Sequence, residues 1–126
     1  MDFGNLKIYI GGKLMDSQNK STKTITCPAN GAVIANIAWA SSADSELALD
    51  AAQVGFKRWS SMTLEKRTNW IEKLRNAVLK NEEILRTAIM FEMGKTYDST
   101  YEDIEALVNS LNFYPKAMKT HFETIN

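Results

Sequence analysis

The feature that most constrains this 126-residue sequence is the run from Ser41 to Lys95, where apolar residues stop alternating and begin to recur at helical spacing. Ser41 with Asp44 three positions on is an Asp version of the capping box and places the start of a first helix. Ala48, Ala51, Ala52, Gly55, Phe56 and Trp59 fall on one face of it, and the small residues suit close approach to a neighbour. Ser60-Ser61-Met62 interrupts the pattern. Thr63 then supplies a cap with Glu65 in the following turn, and the predicted buried stripe is Trp70, Ile71, Leu74, Ala77 and Val78. Asn81, followed by Glu82 and Glu83, reads as a further cap where the axis turns, with Ile84, Leu85, Ala88 and Ile89 as the next apolar face. Gly94 is the expected left-handed terminator, with Lys95 beside the last carbonyls.

Residues 1–40 carry strand signals instead. Leu6, Ile8 and Ile10 alternate with Lys7 and Tyr9, Gly11-Gly12 supplies a turn, and Lys13-Leu14-Met15 completes a predicted β-hairpin. Thr22 to Cys27 is β-branched and alternating, Pro28-Ala29-Asn30-Gly31 reads as a tight turn, and Ala32 to Trp39 follows as another strand. Beyond Lys95, residues 98–120 are expected to form a last helix. It begins near Thr100, where Thr100 and Asp103 repeat the capping spacing, and Tyr101, Ile104, Leu107, Val108, Leu111 and Tyr114 share a face. Pro115 removes a backbone donor, so this helix is expected to kink or end there. The fold class is therefore α/β, in an α+β arrangement of N-terminal strands followed by three to four amphipathic helices, within one domain or part of one.

Composition narrows the function classes. Fifteen basic residues balance fifteen acidic ones, so no global field attracts nucleic acid or an anionic membrane. No apolar run reaches the length of a membrane span, and Met1-Asp2-Phe3-Gly4-Asn5-Leu6-Lys7 lacks the order of a secretory signal. The single cysteine, Cys27, has no internal disulfide partner and fits a reducing, cytoplasmic setting.

Each chemistry-bearing residue also has a plainer role. Cys27 lies in a strand pattern with no base nearby and is expected to be structural. His121, the only histidine, stands in a polar tail as a solvated side chain. Met93-Gly94-Lys95-Thr96 has the ending of a phosphate-binding loop, but it lacks the earlier glycine and closes a helix instead of opening one. Glu102, Asp103 and Glu105 sit where a helix start favours carboxylates without a ligand. Trp39, Trp59 and Trp70 are expected in the core, the last two on apolar helical stripes.

Ile8-Tyr9-Ile10-Gly11-Gly12-Lys13, Cys27-Pro28-Ala29-Asn30-Gly31-Ala32-Val33-Ile34 and the stretch from Ser41 to Trp59 together resemble the start of an aldehyde dehydrogenase. Glu65-Lys66-Arg67, Asn81-Glu82-Glu83-Ile84-Leu85, Glu92-Met93-Gly94-Lys95-Thr96 and Phe113-Tyr114 extend the resemblance, in order, over nearly the whole chain. It implies that residues 1–126 are the opening part of a Rossmann-like cofactor domain, from an enzyme that oxidises an aldehyde to a carboxylic acid with NAD or NADP. In that family a cysteine thiolate attacks the aldehyde, hydride passes to the cofactor, and a glutamate activates water to release the acid. The family's catalytic cysteine, glutamate, asparagine and cofactor loop all follow the matched region. No catalytic or cofactor-binding residue therefore carries over, and no cofactor is expected on this chain alone. Some members bind a structural monovalent cation, and the corresponding positions here are Ile25, Thr26 and Asp103. Cys27 stands where asparagine is usual before the proline, and Pro115 where a small helix former is usual. The expected partners are the remainder of a dehydrogenase, an aldehyde substrate for that whole enzyme, or a second copy through self-association. The competing expectation is a standalone helical interaction or oligomerisation module without enzymatic activity. A third, a small nucleotide-binding protein resting on Gly94-Lys95-Thr96, requires stabilisation by ATP.

Overall fold

In the computed structural model, residues 1–125 are described, with side chains through residue 121. The elements in order are β1 Asn5–Leu6, β2 Ile8–Ile10, β3 Lys13–Met15, β4 Thr22–Thr26, β5 Val33–Ala38, α1 Ser42–Ser60, α2 Leu64–Lys80, α3 Glu82–Met93 and α4 Thr100–Ile125. Few strands followed by four helices make this the α+β mixture expected. The chain divides into two compact units, one of residues 1–61 with 91–94, the other of residues 62–90 with the chain from 95 onward.

In the first unit, β2 and β3 form the expected hairpin, Ile8 opposite Met15 and Ile10 opposite Lys13. Gly11 and Gly12 both have positive φ, 58° and 84°, which matches the twist of a two-residue hairpin turn. The alternating run from Leu6 to Ile10 is not one strand, however. Asn5 and Leu6 pair in parallel with Asn36 and Ile37 of β5, so the chain changes sheets at Lys7. The sheet order is β1-β5-β4. Opposite β4, Ile25 faces Ala35 and Thr26 faces Val33, leaving Ile34 as an extra residue on β5. That bulge turns Ile34 and Ala35, adjacent in sequence, both into the interior, at 2% and 4% exposure.

Asp44 ties the segment after β3 to the start of α1. The capping box forms as expected: Ser41 Oγ accepts the Asp44 N–H, and the Asp44 carboxylate accepts the Ser41 N–H at 2.7 Å. The same carboxylate also accepts from the Ser17 hydroxyl at 2.7 Å and from the Gln18 N–H at 3.1 Å. Donation from the Ser41 backbone, the Ser41 hydroxyl, the Ser17 hydroxyl and the Gln18 backbone outweighs the opposing effect of burial. The carboxyl pKa is lowered from 3.8 to about 2.

At the other end of the unit, Gly94 terminates α3 at φ 68°. Here the left-handed conformation is not the only demand. A Cβ at Gly94 would stand 2.9 Å from Pro28 Cγ and 3.1 Å from Ala29 N, so the β4–β5 turn packs directly on the glycine. In the same unit Phe3 and Phe91, far apart in sequence, meet edge to face with 6.4 Å between centroids.

The second unit is built on α2 and α4. Thr63 caps α2 through the Lys66 N–H, as expected. Asn81 behaves differently from the N-cap predicted for α3: its side-chain amide donates back to Ala77 O at 2.8 Å and closes α2. With the amide turned toward the preceding helix, α3 takes only the Asn81 carbonyl, which accepts from Leu85 N–H. Thr100 does not pair with Asp103. Its fully buried hydroxyl donates to Tyr97 O at 2.6 Å and accepts from Arg86 Nε at 3.2 Å, so it is already occupied. The Arg86 guanidinium also lies 4.1 Å from the Tyr97 ring centroid and donates to Tyr97 O. Pro115 neither ends nor replaces α4, which runs through it. The helix forgoes the one backbone bond that a Pro115 N–H would have made and continues on the turns either side.

The tryptophans correct the core expectation. Trp39, Trp59 and Trp70 are 48%, 39% and 52% exposed, and Lys23 and Lys73 lie over the rings of Trp39 and Trp70. Of the stripe expected to be buried on α2 only Val78 is buried, and among the described residues the buried apolar side chains are Cys27, Ile34 and Ala35 in the first unit and Val78 and Ile104 in the second.

Two consequences follow for stability. Gly94→Ala is expected to cost about 1–3 kcal/mol, from the left-handed backbone and the Pro28–Ala29 contact together, read as a lowered midpoint in denaturant. For Asp44 the folded pKa lies below the unfolded one. Its stabilisation is therefore complete above about pH 4 and is lost as pH falls toward 2. Asp44→Asn should flatten that limb of the acid-unfolding curve, and an unchanged limb would contradict the assignment.

Candidate functional site

The residues singled out for chemistry divide between the two units. Ile25 and Thr26 lie at the irregular end of β4, Ile25 half-buried and Thr26 exposed. Asp103 lies in the first turn of α4, where both carboxylate oxygens accept from Lys95 Nζ, at 3.0 and 2.8 Å. Lys95 thus holds a carboxylate instead of the carbonyls that end α3. No group of three or more His, Cys, Asp or Glu that could hold a metal ion occurs among the described residues.

Gly94-Lys95-Thr96 behaves as a helix end. Gly94 closes α3, the Lys95 ammonium is bound to Asp103, and Thr96 serves the next turn through Ser99 N–H and Ser99 Oγ. A phosphate cradle needs consecutive free N–H groups opening a helix, with a lysine aimed at the anion. These residues do not fit a dinucleotide's phosphates, and no step of a cofactor reaction can be routed through them.

Cys27 is buried at 4% exposure, with its N–H donated to Ala32 O and its carbonyl accepting from Gly31 N–H. No base stands beside the thiol in any described contact, and the residue serves the turn. His121 is exposed on α4.

A groove of about 860 Å³ runs along α2 and α4 within the second unit. Leu64, Leu111 and Pro115 give it an apolar floor, while Glu65, Glu72, Arg75 and Lys116 supply charges of both signs. Arg75 donates to Asn112 Oδ1 at 2.8 Å across it. Such a surface, apolar with a rim of mixed charge, can pack against another polypeptide segment. Sequence reasoning did not find this groove, because its two walls are 37 residues apart at the Arg75–Asn112 contact. Nor did it find that Asp44 reaches Ser17, 27 residues upstream.

Comparison with known proteins places these observations in a family. The aldehyde dehydrogenase family model matches residues 14–126. Malonate-semialdehyde dehydrogenase 2 of Oceanobacillus iheyensis is 29% identical over 109 residues, covering 86% of this chain and 22% of that protein. D-glyceraldehyde dehydrogenase (NADP(+)) of Picrophilus torridus is 30% identical, with the same coverage. Among solved structures, betaine aldehyde dehydrogenase from Staphylococcus aureus in complex with NAD+ superposes with a TM-score of 0.84 at 27% identity, over 90% of this chain and 23% of that one. The chain thus spans less than a quarter of the length of the relatives it matches. With a family model matched from Leu14 to the last residue and the strand-then-helix order shared with solved members, this chain belongs to the aldehyde dehydrogenase family.

Proposed function

We propose that this chain is the N-terminal portion of an NAD- or NADP-dependent aldehyde dehydrogenase that oxidises an aldehyde to a carboxylic acid in the cytoplasm. The observation that carries the reading is the ordered family match over residues 14–126, against relatives of which it covers only 22%. The whole enzyme's reaction requires a thiolate nucleophile, a hydride acceptor and a base for the hydrolytic water. Cys27 is buried, with its backbone N–H and carbonyl bound within its turn, and Gly94-Lys95-Thr96 does not suit a cofactor phosphate. The role left to this chain is architectural: its helices present apolar faces to the remainder of the enzyme.

Exposure supports that role. Leu49, Val54 and Phe56 of α1 are 64%, 59% and 69% exposed, and Trp70 and Leu74 of α2 are half exposed. Surface of this kind on a chain of zero formal net charge favours association when its normal cover is missing. The same faces would serve the alternative, a standalone oligomerisation module, and self-association alone does not separate the two readings.

Two measurements test the proposal. The isolated chain is expected to give no aldehyde-dependent reduction of NAD+ or NADP+ with malonate semialdehyde or betaine aldehyde, and turnover above the no-protein rate would contradict it. In light scattering it is expected to self-associate and to bind a hydrophobic dye. A monodisperse monomer that binds no dye would show that the exposed faces need no cover.

A further inference from the structure

We propose that Asn30 is a site of spontaneous intramolecular deamidation, and that its conversion opens the turn that keeps Cys27 buried. Of the asparagines in the sequence, Asn30 alone is followed by glycine, the residue with no side chain to obstruct attack by its own backbone nitrogen. Asn30 is exposed, in the Pro28–Gly31 turn between β4 and β5. Its Oδ1 accepts the Ala32 N–H at 3.0 Å. That bond folds the side chain back over the Asn30–Gly31 peptide and aims a donor at the oxygen where negative charge develops.

The reaction needs only water and hydroxide. Hydroxide takes the Gly31 amide proton, the nitrogen attacks Asn30 Cγ, and the Ala32 N–H stabilises the oxyanion of the tetrahedral intermediate. The Cγ–Nδ2 bond then breaks and ammonia leaves, taking its third proton from water, to give a cyclic imide. Water opens the imide at one of its two C–N bonds. Opening at Cγ yields aspartate with the original backbone; opening at the main-chain carbonyl yields isoaspartate, with the backbone now routed through Cβ and Cγ.

One contact opposes the attack: Gly31 N–H is donated to Cys27 O at 2.8 Å. Giving up one ordinary backbone hydrogen bond slows a step by about fivefold, whereas a donor on a developing oxyanion speeds it by roughly 100-fold or more in an enzyme site. The balance favours reaction in the folded turn. The isoaspartate product has an extra methylene in a turn spanned by Cys27 N–H to Ala32 O and Gly31 N–H to Cys27 O, both 2.8 Å. The longer backbone cannot keep both bonds. The turn is also wedged against Gly94, which leaves the extra atom no room on that side.

The test holds the protein at mildly alkaline pH, native and in urea, and follows each asparagine-bearing peptide by mass spectrometry, with isoaspartyl methylation as a second readout. Asn30 is expected to convert at least roughly tenfold faster than Asn109, whose follower Ser110 is also small but whose backbone is helical. The native rate is expected to be no slower than the rate in urea. Labelling of Cys27 by a thiol reagent under native conditions should rise in step with isoaspartate, and Asn30→Gln should suppress both signals. A native rate roughly tenfold below the rate in urea would mean that the Gly31–Cys27 bond protects the site and would overturn the proposal. Isoaspartate accumulating at Asn30 without added Cys27 reactivity would overturn the link to the thiol.

Discussion

The first unit of this chain depends on one buried carboxylate. Asp44 is 1% exposed and is surrounded by donors from two distant stretches, Ser17–Gln18 and Ser41. A charge so far from water is tolerated only when its lone pairs are filled, and here both oxygens accept. The same group performs two tasks, supplying a partner to the Ser41 N–H at the head of α1 and fixing the segment that follows the hairpin. With few apolar side chains buried among the described residues, this polar joint matters more than it would beside a large apolar core. The second unit relies on the same device with opposite sign. Arg86 binds Thr100 and Tyr97, and Arg75 binds Asn112, so guanidinium forks hold loop and helix where few apolar side chains are buried.

That economy of core is what membership of a much longer enzyme family leads one to expect. Helices form on local signals such as caps, propensity and a glycine stop, and those signals survive without the surfaces the helices normally cover. Burial does not survive in the same way. Phe56, Trp70 and Leu74 sit on well-formed stripes and still face solvent, because an amphipathic face stabilises a fold only when something apolar is opposite it.

What was legible in the sequence follows the same division. The hairpin at Gly11-Gly12, the caps at Ser41 and Thr63 and the terminator at Gly94 are encoded within a few residues and were all readable. Local signals misled where two partners competed for one group. Asn81 had a helix on either side and its amide went to the earlier one, and Thr100 was taken by Arg86 and Tyr97 before Asp103. The parallel pairing of β1 with β5 could not be read, since alternation gives a strand but not its neighbour. The core prediction for the tryptophans failed for another reason: periodicity identifies an amphipathic face, not what lies opposite it. The exclusion of a phosphate loop was legible, because the order of glycine, lysine and helix is itself local.

The central claim, that this chain is part of a larger dehydrogenase, is tested most directly by the size of the native product in its source cells, detected with an antibody raised against these 126 residues. The account predicts a band several times larger than the chain, in keeping with relatives of which it spans 22%. A band at the size of the chain itself would contradict it and would make the exposed helical faces the working surface of a standalone module.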